Sequence, residues 1–291
     1  SGRGGTDEGD EEEERSVGDY EQLELEEDLT EQISYCLARL LETHMDAFLP
    51  VLEQVLPWFM ERLADPSSAQ QRLGINMLDD VLEIGKDKAA RFVPSFAPHM
   101  LKLSHSTDME LRQASIYGVG LCAQHGGAQF SPFIDEALAK LTHIVSEPDA
   151  RGEDKESPTD NAVSSLGKIA QHHQIAQAPQ VWSMWLNYLP LKADVPEGVL
   201  VHKQLCALVE QNHPEVLGAN NCNLPRIISI FSLILETSLC DTECAALIRN
   251  ILIQAEAGLG DVVQKACMGL PPAQMERLQR LVQGGVPPPQ A

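Results

Sequence analysis

QQRLGINMLDDVLEIG, residues 70–85, decides how the chain is read. On a helical wheel at 100° per residue, Arg72, Asn76, Asp79 and Glu83 fall within about 60° of one another. Leu73, Ile75, Met77, Leu78, Val81, Leu82 and Ile84 take up most of the remaining circumference. A helix on the surface of a globular domain shows a broad polar face, whereas one that is apolar on three sides is packed at its back and on both flanks. Two adjacent carboxylates, Asp79 and Asp80, leave two readings open for such a helix. Either they do acid–base or metal chemistry, or the helix offers a thin polar edge to a partner.

The same 4-3-4 spacing of a polar stripe recurs along the chain. It reads Gln32, Cys36, Arg39, Thr43, then Gln113, Tyr117, Gly120, Gln124, then Asn161, Ser165, Lys168, His172. Val199, Lys203, Cys206, Glu210 follow, and less cleanly Glu243, Leu247, Asn250, Gln254. Stripes starting at 32, 72, 113, 161, 199 and 243 are separated by 40, 41, 48, 38 and 44 residues. That is the period of helix-pair repeats of about 40–47 residues. A first helix is expected before each stripe, and prolines mark it: FLP at 48–50, FVP at 92–94, FSP at 130–132, with APQVW from 178 and NLPRI from 223 as looser copies. Proline is tolerated in a first helical turn, where its missing N–H has no partner to lose. Turn and cap signals separate the two helices of a pair in ADPSS (64–68), HSTD (105–108) and KADVP (192–196).

These features predict an all-α chain: a HEAT-type α-solenoid, a right-handed superhelix of antiparallel helix pairs, five to six repeats long. The solenoid is expected over 28–283, with a charged loop insertion at 146–158 (SEPDARGEDKESP) and a disordered tail over 284–291. Stacked pairs bury their backs and flanks, so the second-helix stripes should lie exposed along one concave surface.

Charge is unevenly spread. Residues 1–31 hold 14 acidic and 2 basic residues of a chain whose formal charge is −22. Residues 1–27 are too charged and too poor in apolar side chains to build a core, and read as a disordered acidic segment. So acidic a chain is a poor ligand for nucleic-acid phosphates, which need Lys and Arg clusters. No apolar run of eighteen residues and no basic-plus-apolar leader is present, so neither a membrane span nor a secretory signal is read. The chain begins with Ser and is expected to be a fragment. Seven scattered cysteines argue for reduced thiols, mostly small core residues.

Several stretches resemble a known family. MELRQASIYGVGLCAQHGG (109–127), DNAVSSLGKIAQHH (160–173), WLNYLPLKADVPEG (185–198) and NHPEVLGANNCNLPRIISI (212–230) resemble the C-terminal HEAT repeats of importin-beta (karyopherin-beta) nuclear transport receptors. The branch is the one that includes importin beta-3, and LPWFMERLAD followed by GINMLDDVLE is similar to it as well. The resemblance covers roughly residues 20–283. It implies a C-terminal piece of a longer superhelix that carries proteins through nuclear pores, shuttling between cytoplasm and nucleus. Implied partners are basic cargo proteins with nuclear localisation signals, held inside the superhelix, and Phe-Gly nucleoporins outside. Ran-GTP is implied for the full-length receptor, mainly through repeats absent here. A HEAT-repeat scaffold or adaptor for another complex is the alternative, and a regulatory domain acting through its acidic segment is a third.

No Gly-rich phosphate loop, HExxH, CxxC or G-x-S-x-G motif occurs, so no catalytic residue, cofactor or metal site is assigned. Adjacent His172 and His173 point about 100° apart on a helix and do not chelate one ion. Trp182 and Trp185 read as core, and Asn220, Asn221 and Asn223 as turn residues. Asp80 is expected to answer a base in the next repeat, such as Arg112. The candidate cargo-contact residues on the concave stripe are Arg72, Asn76, Asp79, Glu83, Gln113, Tyr117, Gln124, Asn161, Ser165 and Lys203. Carboxylates so placed pair with Lys or Arg of an extended peptide.

Overall fold

The computed structural model describes residues 7–284, and those residues form helices and turns with no strand among them. In chain order the helices are α1 (Asp7–Arg62), α2 (Ser68–Gly85), α3 (Val93–Leu103), α4 (Met109–His125), α5 (Ile134–Val145) and α6 (Glu156–His172). They continue as α7 (Ala178–Tyr188), α8 (Val195–Glu210), α9 (Pro214–Leu217), α10 (Leu224–Ile234), α11 (Thr242–Met268) and α12 (Pro272–Gly284). The prolines fall where first helices open. Pro94, Pro179 and Pro225 sit in the first turns of α3, α7 and α10, and Pro132 lies in a short 3-10 turn leading into α5. Asp108, Asp194 and Asp241 cap second helices, accepting from the N–H groups of Leu111, Glu197 and Cys244.

The second helices α2, α4, α6 and α8 pack in series, and the first helices α3 and α5 lie behind α4 and α6, as α10 does behind α11. Leu78, Val81, Ile116, Val119, Val163 and Leu166 are buried between them, as are Trp182 and Trp185, whose rings meet edge to face at 5.2 Å. A HEAT-type solenoid of antiparallel pairs is therefore the architecture.

The first boundary differs from expectation. A single helix, α1, runs through both the first stripe and the next first helix, bent at His44, whose φ/ψ of −132°/32° is not helical. Residues 40–48, LLETHMDAF, carry no Gly or Pro to open the turn into a loop. The described chain is already helical from Asp7, where composition leads one to expect an unstructured arm through residue 27. Glu is a good helix former, and acids are favoured at a helix N-terminus by its dipole. Residues 1–6 and the tail 285–291 lie outside the described residues. The charged insertion is shorter than expected, as α6 starts at Glu156, and it is anchored. Arg151 reaches Oδ1 of the buried Asp160 at 2.5 Å and the Tyr188 carbonyl at 2.8 Å. The Asp160 Oδ2 accepts from the N–H groups of Lys192, Ala193 and Asp194, tying down the turn before α8.

Candidate functional site

The inner face carries a groove of about 750 Å³ lined from five helices, α1, α2, α4, α6 and α8. Ser34 and Tyr35 come from α1, Asn161 from α6, and Pro196, Glu197 and Leu200 from the first turns of α8, with Asp194 as its cap. Seven of the residues read from the stripe line it together: Arg72, Asn76, Asp79 and Glu83 from α2, Gln113 and Tyr117 from α4, and Asn161. Gln124, Ser165 and Lys203 do not line it. The Ser165 hydroxyl donates to the Ile116 carbonyl at 3.0 Å beneath Gly120, which leaves room for it. Lys203 binds Asp241 at 2.7 Å and also reaches Glu243, joining α8 to α11.

Exposure of the whole stripe is corrected. Asn76 and Glu83 are exposed, but Asp79, Asn161 and Ser165 retain only 6%, 2% and 1% of their surface. The cause is the close approach of the second helices. Gly118 presses α4 against α2 so that the Asp79 carboxylate lies where a methyl at 118 would be. Asn161 turns its amide to Asp194 Oδ2 at 2.9 Å and to the Ser157 carbonyl at 3.1 Å. The expected Asp80–Arg112 pair is also absent. Arg112 donates to Glu147 at 2.6 Å, and Asp80 lines the groove instead.

Acid dominates the lining. Asp79, Asp80, Glu83, Glu110, Asp194 and Glu197 face the groove, against one base, Arg72, which pairs with Glu110. Three of the acids are committed within the fold. Asp194 caps α8 and accepts from Gln113 and Asn161, while Glu197 binds Ser164 and, at 2.6 Å, Lys168. Glu110 holds Arg72. Asp79 has no partner for its buried Oδ1. Burial first, then Asp80 and Glu83, hold its carboxyl well above the usual carboxylate range, and Lys168 only partly opposes this. Burial and then Glu83 push Asp80 up to about 6. Tyr117, hydrogen-bonded to Glu83, has its phenol raised by burial and by the surrounding carboxylates. An electronegative, half-open cleft with an apolar rim of Leu73, Pro196 and Leu200 suits a cationic side chain with an aliphatic stem.

No protein-family model matches the chain. The probable importin-5 homolog of Dictyostelium discoideum is 26% identical over 214 residues, 71% of this chain and 20% of the relative. Importin subunit beta-3 of Saccharomyces cerevisiae is 26% identical over 235 residues, 80% of this chain and 22% of the relative. The chain is similar to importins of the importin-beta family. The solved structure of the karyopherin Kap121p bound to the SUMO protease Ulp1p superposes with a TM-score of 0.70 at 22% identity, covering 87% of this chain and 23% of Kap121p, which supports the solenoid fold. The chain spans about a fifth of the length of the curated relatives it matches.

Asp80, Glu110, Asp194 and Glu197 are groove residues that the stripe did not select. A signal for three of them is present in the sequence. Second helices open on a capping Asp followed by a first-turn Glu, as in Asp108/Glu110, Asp194/Glu197 and Asp241/Glu243. First-turn acids project over the mouth of the neighbouring repeat, and wheel phase measured at the helix centre does not register them.

Proposed function

We propose that the chain is the C-terminal HEAT-repeat segment of a nuclear import receptor and that its groove takes a basic segment of protein cargo without covalent chemistry. The receptor works by binding and not by catalysis, moving between cytoplasm and nucleus. Ran-GTP acts on it mainly through repeats outside this chain, and Phe-Gly nucleoporins bind its outer surface. The observation that carries the reading is the six-to-one excess of carboxylates over bases in a groove built by consecutive second helices.

A fluorescent Lys-rich peptide titrated at two salt concentrations tests it. Glu83→Gln with Glu110→Gln removes two groove charges and frees Arg72 to repel the ligand. The pair should weaken binding by about 1–3 kcal/mol at low salt, and by less as salt rises. Circular dichroism should be unchanged, since Glu83 is exposed and the Glu110 side chain is 75% accessible. Wild-type affinity equal to that of the double variant at both salts would remove the groove from the reading.

A further inference from the structure

Asp79 raises a question that cargo binding by itself leaves open. Its side chain is 94% buried, its Oδ1 has no hydrogen-bond partner, and it lines the groove. An ionised carboxylate in such a place needs a counter-charge or hydrogen bonds, and otherwise takes up a proton.

Among the described residues the surroundings supply no free counter-charge. On α2 itself stand Asp80 and Glu83, both acids, and Arg72, which is bound to Glu110. From α1, Tyr35 faces the groove. From α4 come Glu110, Tyr117 and the buried thiol of Cys122, whose ionisation the Asp79 charge would oppose. From α8 come Asp194 and Glu197, both acids. The segment 86–92 that follows α2 places no residue in the groove. From α6, Lys168 acts on Asp79 through space, but its ammonium is held at 2.6 Å by Glu197. Among the described residues no three His, Cys, Asp or Glu side chains are gathered as metal ligands.

We propose that Asp79 carries a proton in the empty groove and gives it up to solvent when a cationic side chain of the cargo docks beside it, so that binding exchanges a proton for a cation. This rests on the cargo reading above and adds its regulation: affinity for a basic peptide depends on pH through Asp79. No covalent bond is made or broken apart from the O–H of the carboxyl, and the proton leaves to buffer. Gly118 keeps the carboxyl buried against α4, because a side chain there would displace it. Glu83, exposed at the edge of the groove, meets cargo from solvent. The buried acid makes binding conditional on deprotonation.

The test uses the whole chain and a Lys-rich peptide free of His, Asp and Glu, so that the peptide itself does not titrate near pH 6. Calorimetric titrations at pH 6 in phosphate and in imidazole, whose ionisation enthalpies differ widely, count the protons released. The wild type should release about one proton per bound peptide, and its affinity should rise about tenfold or more between pH 5 and pH 7. Asp80 lines the same groove and is itself pushed up to about 6, so the comparison is made in an Asp80→Asn background. Asp80→Asn alone should still release protons, and adding Asp79→Asn should give a buffer-independent enthalpy and an affinity that varies less over that range. Circular dichroism and a thermal melt check that the variant is folded, and the wild-type affinity profile stands on its own if it is not. Binding of the wild type with no proton release and a flat pH profile would overturn the exchange and leave the cargo reading in place. No binding at any pH would overturn both.

Discussion

Substituting Asp80→Asn should stabilise the fold at neutral pH, which is the opposite of what an inter-repeat salt bridge would give. Asp80 lines the groove without reaching Arg112, and its carboxyl is pushed from 3.8 up to about 6 by burial and then by Glu83. Because the folded-state value lies above the unfolded one, the unfolded chain loses its proton first as pH rises. The contribution of Asp80 is therefore fully favourable below about pH 4, declines between about pH 4 and pH 6, and stays unfavourable above that window. A shift of this size corresponds to about 3 kcal/mol at 1.36 kcal/mol per pH unit. Asp80 is only half-buried, so solvent screening reduces the figure to roughly 1–2 kcal/mol. The carboxamide cannot ionise, so Asp80→Asn should recover that amount at pH 7.5 and almost nothing at pH 4. Urea midpoints from pH 4 to pH 8 measure it. Hydrogen exchange of the α2 amides is the companion readout, because a repeat array need not unfold as one unit. A loss of stability at pH 7.5, or an equal gain at both ends of the range, would show that Asp80 makes a favourable native contact and would refute the reasoning.

Gly118→Ala should cost about 1–3 kcal/mol in the same urea assay, because the new methyl overlaps Asp79 Oδ1 and the Met100 thioether. A neutral result would mean that α2 and α4 separate without penalty. Asp160→Ala strips four hydrogen bonds from one buried carboxylate and leaves Arg151 without its carboxylate, holding only the Tyr188 carbonyl, so a loss of about 3–5 kcal/mol is expected. Hydrogen exchange should quicken first at the amides of 192–194, and protection unchanged there would count against Asp160 as their anchor.

The periodic part of this structure is legible in the sequence, and the close contacts are not. The 4-3-4 stripe finds α2, α4, α6 and α8 because a helix packed on three sides must confine its polar residues to one narrow strip. It brings Arg72, Asn76, Glu83, Gln113 and Tyr117 to the groove for the same reason. It misjudges Asp79, Asn161 and Ser165 because wheel position gives direction, while exposure depends on how near the neighbouring helix comes. That distance is set by small residues in the next repeat, Gly118 against Asp79 and Gly120 against Ser165. Lys203 points along the stripe, yet it is drawn to Asp241 and Glu243 at the head of α11. The bend in α1 leaves no trace in composition, since no helix breaker marks it.

The placement of the bases shows why the groove's acidity is more than a by-product of a chain with 43 acids and 21 bases. Basic side chains are used at the seams. Arg72–Glu110 joins α2 to α4, Lys168–Glu197 joins α6 to α8, Lys203 joins α8 to the head of α11, and Arg280–Glu236 joins α12 to the turn after α10. Such pairs, partly exposed, add little stability one by one, but they fix how each repeat sits on the next. With half as many bases as acids, many carboxylates must go unpaired, and solubility alone would leave those in open solvent, where ionisation costs nothing. Asp79 is the exception. With 6% of its surface accessible it solvates nothing, its ionised form would repel Asp80 and Glu83, and it sits where an apolar residue would pack at lower cost. Lys168, the cation that acts on it through space, is already held by Glu197. At the floor of a groove whose bases are committed, such an acid holds its proton, and its ionised form is stabilised only by a positive charge that arrives from outside the fold.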